Sequence, residues 1–282
     1  MSDFNRPRKR FGQHFLHDQN ILAKIVHAIA PAADDRLVEI GPGRGALTLQ
    51  LVRHCDRLIA VELDRDLADY LTRHEALRER VELINADALK FDFSGLSEAP
   101  RSLRIVGNLP YNISTPLLFH LLDAADQIRD MHFLLQKEVV DRLVAAPGNK
   151  DYGRLSVMIQ YHCQTERLFH VPPGAFSPPP KVESSVVRLT PREQPEAIAA
   201  DPRHFEKVVR QAFSQRRKTL RKSLRGLVGE AAFEQAGVAA SLRPEQLTVH
   251  NFVELSNRTI ESAEHRGYHR SQGISLSSRN KP

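Results

Sequence analysis

The sequence predicts an α/β protein, with a doubly wound, mostly parallel sheet of seven strands followed by a small helical domain. Short apolar runs alternate with helical patterns as far as residue 190. Such alternation is typical of parallel sheets covered by helices. Beyond residue 202, apolar residues recur only at helical spacing. At 282 residues, the chain is long enough for about two domains.

Turn residues and caps set the expected limits of each element. Asp18 is placed to cap a helix that runs through Ala30 and stops at Pro31. The expected strands lie near 37–40, 57–62, 81–84, 103–107, 130–135, 166–171 and 183–189. The further expected helices lie near 46–53, 64–74, 115–122, 138–145 and 154–163.

The domain organisation follows from composition. We expect a first domain over 1–190, and a linker over 191–202 that holds three prolines. A helical domain over 203–265 follows, because Phe205, Val209 and Phe213 are spaced for one buried face. Ser, Gly, Arg and Asn dominate residues 266–282, which predicts a disordered tail.

Three predicted strands of the first domain end in residues suited to a nucleotide-like ligand. The first runs into Gly41-Pro-Gly43-Arg-Gly45 behind Glu39, which is a G-x-G-x-G loop. Glycines let the backbone approach a ligand closely. Glu62 ends the second strand, 21 residues after Gly41, where a carboxylate can accept both ribose hydroxyls. Asp87 follows the third strand and suits an adenine N6 amine.

The fourth strand ends in Asn108-Leu-Pro110-Tyr111. The Asn108 side-chain oxygen and a carbonyl near Pro110 can accept hydrogen bonds from the two N–H groups of an adenine N6 amine, while Tyr111 stacks on the base. The loop 171–182 is stiffened by five prolines and carries Phe176, which we expect against the other face of that base. An adenine must leave its stack to enter such a slot, so an unpaired nucleotide is the easier substrate.

The G-x-G-x-G loop behind an acidic residue resembles the first motif of the class I methyltransferases, which bind S-adenosylmethionine. From about Arg8 to Ala263 the chain resembles the small-subunit ribosomal RNA adenine N6,N6-dimethyltransferases. The likeness rests on Glu39-Ile-Gly-Pro-Gly and on further motifs that begin at Lys9, Gly107, Leu135, Tyr152 and Phe176. The departure is His14, where that family usually has Asn.

The resemblance implies a Rossmann-like class I methyltransferase fold that uses S-adenosylmethionine to dimethylate two adjacent adenosines in a hairpin loop near the RNA 3′ end. The residues assigned to the cofactor are His14, Leu16, Gly41, Gly43, Glu62, Asp87, Ala88 and Asn108. Those assigned to the reacting base are Asn108, Pro110, Tyr111 and Phe176. Two alternatives remain open: a large-subunit rRNA adenine methyltransferase, and a ribosome assembly factor that acts mainly by binding RNA.

Positive charge is concentrated in a few segments. Residues 203–225 hold nine basic side chains and one acidic side chain, in a chain of net charge +6. This pattern predicts a polyanion-binding surface. Thr219 is expected to cap a helix that turns Leu220, Leu224 and Leu227 inward. The residues assigned to rRNA phosphates are Arg216, Arg217, Lys218, Arg221, Lys222 and Arg225.

The spacing of the cysteines and the length of the apolar runs argue against a zinc protein, a disulfide-stabilised protein and a membrane protein. The two cysteines, Cys55 and Cys163, form no C-x-x-C pair, so neither structural zinc nor a disulfide framework is expected. No apolar run approaches the roughly 18 residues that a membrane span needs, and no signal-peptide core is visible. We therefore expect a cytoplasmic monomer that contacts no membrane and needs no metal.

Overall fold

The computed structural model describes residues 14–215 and 217–272, with side chains described as far as residue 262. The chain divides into two compact units. The first runs as far as Val144 and includes His162–Glu193. The second consists of Ala145–Tyr161 together with the chain from Gln194 onward.

The first unit contains nine strands and five α-helices among its described residues. The strands are β1 (Phe15–Leu16), β2 (Arg36–Ile40), β3 (Leu58–Glu62), β4 (Val81–Asn85), β5 (Leu103–Asn108), β6 (Ile128–Gln136), β7 (Cys163–Val171), β8 (Phe176–Ser177) and β9 (Ser184–Pro191). The helices are α1 (Gln19–Ile29), α2 (Thr48–Leu51), α3 (Arg65–Arg73), α4 (Ser114–Leu122) and α5 (Lys137–Val144).

Seven of these strands form the main sheet, in the order β4-β3-β2-β5-β6-β9-β7. The first five in this order are parallel, whereas β9 pairs antiparallel with both β6 and β7. All seven predicted strands are confirmed, and so is the mostly parallel α/β architecture. Every residue of β3 is buried, as expected for an inner strand covered on both faces.

Helix α1 shows how the sequence sets the local structure. The Asp18 carboxylate accepts hydrogen bonds from the backbone N–H groups of Asn20 and Ile21, at 2.9 and 3.1 Å. This is the predicted cap, and it satisfies two N–H groups that the first helical turn cannot. The helix buries one apolar face, formed by Ile21, Leu22, Ile25, Val26 and Ile29.

A two-residue ladder between β1 and β8 was not predicted. Leu16 lies opposite Phe176, and the backbone N–H of His17 donates to the Ala175 carbonyl at 3.0 Å. Residues 14–17 are thereby fixed against the proline-rich loop 171–182. Two sequence motifs that lie some 160 residues apart are held together here.

The second unit is helical and contains α6 (Arg154–His162), α7 (Pro202–Phe213), α8 (Leu220–Ser223), α9 (Glu230–Gln235) and α10 (Val249–Gln272). Helix α6 reaches one residue beyond the unit's first segment. In this unit, the Tyr152 ring lies 6.3 Å from that of Phe213, and the Tyr161 ring lies 4.7 Å from that of Phe205. Aromatic packing of this kind stabilises a core. It places residues 145–161 in the helical unit, whereas the sequence-based division put them in the first domain.

Helix α10 extends further than the sequence predicts. It continues to Gln272, into the segment for which we expected disorder, and residues 273–282 lie outside the described residues.

Within the described part of the chain, no helix is long and apolar enough to cross a membrane. The same residues contain no cluster of three or more His, Cys, Asp or Glu side chains that could hold a metal ion.

Candidate active site

The carboxyl ends of the parallel strands meet at one edge of the sheet, and a cleft opens there. Ligands of open α/β sheets bind at this edge. The loops after β2, β3, β4 and β5 line the cleft, together with residues 14–16. The cleft lining contains all eight residues that the sequence assigned to the cofactor, as well as Pro110 and Tyr111.

The glycine loop and Glu62 form one wall of the cleft. Gly41 and Gly43 both have positive φ, at 67° and 58°, which side chains other than glycine rarely adopt. The backbone N–H of Gly43 donates to Glu62 Oε2 at 3.1 Å, and that of Asp64 donates to Oε1 at 2.8 Å. Burial raises the pKa of Glu62, although these two bonds oppose the shift. The backbone therefore fixes the carboxylate, and each oxygen keeps a lone pair for a ligand hydroxyl.

Glu39, the last residue but one of β2, is the second buried carboxyl group of the cleft. It is 2% exposed, and its Oε2 has no hydrogen-bond partner within the described structure. Burial, and to a smaller extent the nearby Glu62 charge, raises the pKa of Glu39 to about 7. An unpaired buried carboxyl oxygen is costly, and a cationic ligand would relieve that cost.

Asp87 and Ala88 form the opposite wall, just after β4. The Asp87 Oδ1 accepts the backbone N–H of Leu89 at 3.0 Å, which orients the carboxylate in its turn. Ala88 is buried and also lines the cleft. This arrangement leaves the second oxygen of Asp87 to accept a bond from an amine.

Asn108 ends β5 and is oriented by the segment before β1. Its Nδ2 donates to the backbone carbonyl of His14 at 3.0 Å. A carbonyl oxygen only accepts, so the nitrogen of the amide must face His14. The Oδ1 atom is therefore the part of the amide left to accept hydrogen bonds from a ligand in the cleft.

Pro110 and Tyr111 continue the chain along the cleft. The Pro110 carbonyl accepts one bond, from the Ile113 N–H at 3.2 Å, and keeps a second lone pair. The Tyr111 hydroxyl lies 2.7 Å from the hydroxyl of Ser184, which is fully buried. Burial raises the pKa of Tyr111. The Tyr111 ring is thus fixed at its far end, so its orientation in the cleft is set.

His14 contacts the same tyrosine. The two rings are stacked, with centroids 5.5 Å apart and planes at 28°. The His14 Nδ1 is 2.8 Å from the Pro178 carbonyl, so this nitrogen donates its N–H to that oxygen. The sequence assigned His14 to the cofactor. In the structure its Nδ1 N–H is already committed to the Pro178 carbonyl.

Phe176 is not brought to the cleft. It is 2% exposed and packs in the apolar core of the first unit with Leu16, Ala175 and Val186. Leu16, by contrast, is buried and still lines the cleft. The expected stacking of Phe176 on the target base therefore requires the loop 171–182 to rearrange, and it stays a prediction.

The basic stretch lies in the second unit. Arg217, Lys218, Arg221, Lys222 and Arg225 are exposed, and Arg216 lies outside the described residues. Arg221 forms an exposed ion pair with Glu230 at 2.9 Å. Leu220 and Leu224 are buried as predicted, whereas Leu227 is only half-buried.

The predicted capping by the Thr219 side chain is wrong. Thr219 occupies the N-cap position of α8 without a side-chain capping bond. The backbone N–H groups of Leu220 and Arg221 donate instead to the carbonyls of Leu242 and Ala240, at 2.8 and 3.0 Å. The loop around residues 240–242 therefore satisfies the first two N–H groups of this helix.

Comparisons with known proteins agree with this geometry. The family model described as "Ribosomal RNA adenine dimethylase" matches residues 4–261. The chain belongs to the ribosomal RNA adenine dimethylase family. It is 55% identical to a protein of Acinetobacter baylyi over 91% of this chain and 93% of that protein. It is 56% identical to one of Pseudomonas aeruginosa over 91% and 96%. Both are named ribosomal RNA small subunit methyltransferase A.

Solved structures place the fold among the methyltransferases. A dimethyladenosine transferase from Plasmodium falciparum matches with a TM-score of 0.73 and 24% identity, over 90% of this chain and 98% of that one. The 23S rRNA methyltransferase ErmE matches with a TM-score of 0.66 and 27% identity, over 87% and 99%. The class I methyltransferase fold predicted from the motifs is confirmed.

Sequence reasoning missed three features of the site. Glu39 was noted only as part of the glycine motif, although an acidic residue inside an apolar strand is itself a sign of function. Ser184, which anchors Tyr111, lies at the start of β9 and carries no sequence signal. The stacking of His14 on Tyr111 joins segments too distant for any local pattern to predict.

Proposed function

We propose that this chain transfers methyl groups from S-adenosylmethionine to the N6 atoms of adenosines in small-subunit ribosomal RNA. The observation that carries the proposal is the orientation of Asn108, whose Nδ2 is bound to His14 so that Oδ1 is left to accept an N–H. Family membership supplies the reaction class and the RNA substrate. The family and the names of the 55–56% identical relatives support dimethylation and the small subunit.

The residues of the cleft fit the cofactor. S-adenosylmethionine supplies a methyl group on a positively charged sulfonium, and it carries a cationic amine, a ribose and an adenine. The cleft lining holds four carboxyl groups, from Glu39, Glu62, Asp64 and Asp87. We assign Glu62 to the ribose hydroxyls, Asp87 to the adenine amine, and the unpaired oxygen of Glu39 to the positive charge of the ligand.

The chemistry at the target nitrogen needs two hydrogen-bond acceptors. Adenine N6 is a poor nucleophile because its lone pair is delocalised into the ring. Bonds from its two N–H groups to Asn108 Oδ1 and the Pro110 carbonyl favour a pyramidal nitrogen, whose lone pair is then free to attack. No strong general base is required. Alignment of two bound reactants can itself supply roughly 7 to 11 kcal/mol of the barrier.

Tyr111 provides the face on which the base stacks. Its hydroxyl is fixed by Ser184, so the ring is held before the substrate enters and little entropy is lost on binding. The base then binds either on the ring face that His14 leaves open or in place of His14. Each transfer would form the N6–methyl bond as the sulfonium–methyl bond breaks, and the methylated nitrogen would release one proton to water. After the first transfer the nitrogen keeps one N–H, and one acceptor suffices for the second.

RNA contact is assigned to the exposed basic stretch of the second unit, from Arg217 to Arg225, together with Arg216. Phosphate contacts position a protein on RNA without reading sequence. Arg221 must exchange its Glu230 partner for a phosphate, an exchange of small cost because exposed ion pairs contribute only about 0 to 1 kcal/mol. A cytoplasmic monomer is consistent with these assignments.

The two alternatives are less well supported. The large-subunit methyltransferase ErmE is 27% identical to this chain, against 55–56% for the small-subunit relatives. An assembly factor that only binds RNA would not need the oriented amide of Asn108 or the buried carboxyl groups. Binding and checking of the small subunit can still accompany catalysis.

The test is transfer of tritium from labelled S-adenosylmethionine to small subunits that lack the modification, followed by mapping of the labelled nucleotide. We expect label on N6 of adenosine in the small-subunit RNA. Label confined to large-subunit RNA would favour the first alternative. Tight subunit binding without any transfer would favour the second.

A further inference from the structure

A groove beside the cleft is lined by basic charged residues, whereas the charged residues that line the cleft are mainly acidic. It shares Phe15, Leu16, Arg44 and Ala46 with the cleft lining, and continues along helices α1 and α2. Arg44 and Arg53 line it, and none of the described residues that line it is acidic. The described lining of the cleft itself holds four carboxyl groups and a single arginine. A cationic ligand thus fits the cleft, whereas a polyanion fits the groove.

The groove also offers a flat stacking surface. The Arg44 guanidinium lies over the Phe15 ring, with its central carbon 4.3 Å from the ring centroid. Guanidinium and aromatic planes are the surfaces on which unpaired bases stack. Phe15 is held in place because its neighbour Leu16 pairs with Phe176 and because the ring packs against Gly43.

Polar groups continue beyond this surface. Arg53 donates to Gln50 Oε1 at 3.3 Å, and Gln50 Nε2 donates to Gln19 Oε1 at 3.2 Å. An arginine has five N–H donors, so this single bond leaves Arg53 able to grip a phosphate. The order from the cleft outward is therefore a stacking surface followed by an exposed arginine.

We propose that this groove binds the RNA nucleotide that adjoins the target adenosine, with its base on the Arg44–Phe15 surface and its phosphate at Arg53. The inference rests on the proposed function, because a target base that enters the cleft brings its chain neighbours with it. Base stacking on side chains accepts any base. The groove thus holds the strand in register without reading its sequence.

Arg53→Ala tests the phosphate contact. We expect KM for unmodified small subunits to rise about tenfold, the effect typical of removing one charge-assisted hydrogen bond, with kcat and cofactor affinity unchanged. The salt slope of subunit affinity should fall by about 0.7, as for one single-strand phosphate contact. Arg73→Ala is the matched control, since Arg73 is exposed in the last turn of α3 and lines neither the cleft nor the groove.

A second measurement does not depend on weakened binding. A photo-crosslinking phenylalanine analogue in place of Gln50 should crosslink to a nucleotide next to the methylated adenosine. Equal KM values for Arg53→Ala and Arg73→Ala would overturn the inference, as would crosslinks to distant nucleotides. A drop in cofactor affinity in Arg53→Ala would assign the groove to the cofactor instead. Failure of the wild type to methylate subunits would overturn the proposed function itself.

Discussion

The acidic cleft of the first unit and the basic stretch of the second suit different kinds of ligand. In the cleft, backbone N–H groups and a carbonyl fix the side chains of Glu62, Asp87 and Asn108 before any ligand arrives. In the basic stretch, the side chains of Arg217, Lys218 and Lys222 extend from the surface. Groups that are oriented inside a cleft suit a small ligand and a reaction, whereas exposed charges suit a long polyanion whose phosphates recur along the strand.

The largest effect is expected for Asn108→Ala, which removes the oriented acceptor. Loss of one preorganised hydrogen-bonding group typically lowers turnover about 100- to 1000-fold. Subunit affinity should be retained, because the side chains assigned to the RNA phosphates lie elsewhere in the chain. Turnover on unmodified subunits is the measurement, and Asn20→Ala, at an exposed position on α1, is the matched control. Near-normal turnover in Asn108→Ala would remove the residue from the mechanism.

Glu39 is expected to make folding stability depend on pH. Its pKa rises from 4.5 in the unfolded chain to about 7 in the folded protein. Its contribution is therefore complete below pH 4.5 and is lost as pH rises through 7. Glu39→Gln should thus match the wild type in unfolding free energy at low pH and exceed it by about 3 kcal/mol at pH 8.

Denaturant unfolding of the two cofactor-free proteins across this pH range checks the prediction. Subtracting one curve from the other cancels the contribution of the titrating groups that do not interact with Glu39. A constant difference between them would mean that Glu39 titrates normally, and the unpaired carboxyl group would then carry no special cost.

Glu62→Ala should weaken cofactor affinity by about 1 to 3 kcal/mol, roughly ten- to hundredfold, because charge-assisted hydrogen bonds to ribose are removed. Calorimetry measures this directly. Glu82→Ala, at an exposed position on β4, is the matched control. Because the Glu62 side chain also satisfies the Gly43 and Asp64 N–H groups, thermal unfolding must confirm that the variant is folded. Unchanged affinity in a folded variant would exclude Glu62 from the site.

The smallest effect belongs to the basic stretch, where each side chain is exposed. Changing Arg217, Lys218, Arg221 and Lys222 together to Ala should weaken subunit binding and lower its salt slope by about 0.7 to 0.9 for each phosphate that is no longer neutralised. A control that exchanges Arg for Lys and Lys for Arg at the same positions keeps the charge and should bind nearly as well. Identical salt dependence in wild type and the Ala variant would mean that these charges are only solvated.

The fold was predictable where local patterns determine it. The seven strands of the main sheet are short apolar runs between turn residues, and Asp18 has the geometry of an ordinary cap. The β1–β8 ladder was not predictable, because each strand is two residues long and its partner lies far along the chain. Residues 145–161 continue the alternation of the first domain in sequence, but their aromatic side chains pack with α7.

The candidate site also has a part that local sequence patterns predict and a part that depends on distant contacts. Glu62, Asp87 and Asn108 stand at strand ends, so the parallel sheet alone brings them to one edge. Tertiary contacts decide the rest. Phe176 was expected against the target base, yet it is buried where β8 pairs with β1. The orientation of the Asn108 amide depends on a carbonyl 94 residues away, which no sequence pattern encodes.

The proposed division of roles is that the cleft carries out the reaction and the basic stretch binds RNA. It is tested most directly by single-turnover methyl transfer from preformed complexes at saturating protein and cofactor. We expect Asn108→Ala to transfer at least about 100-fold more slowly although it binds subunits normally. The fourfold Ala variant, once saturated, should transfer at the wild-type rate. A normal rate for Asn108→Ala, or a slow rate for the saturated fourfold variant, would contradict this division.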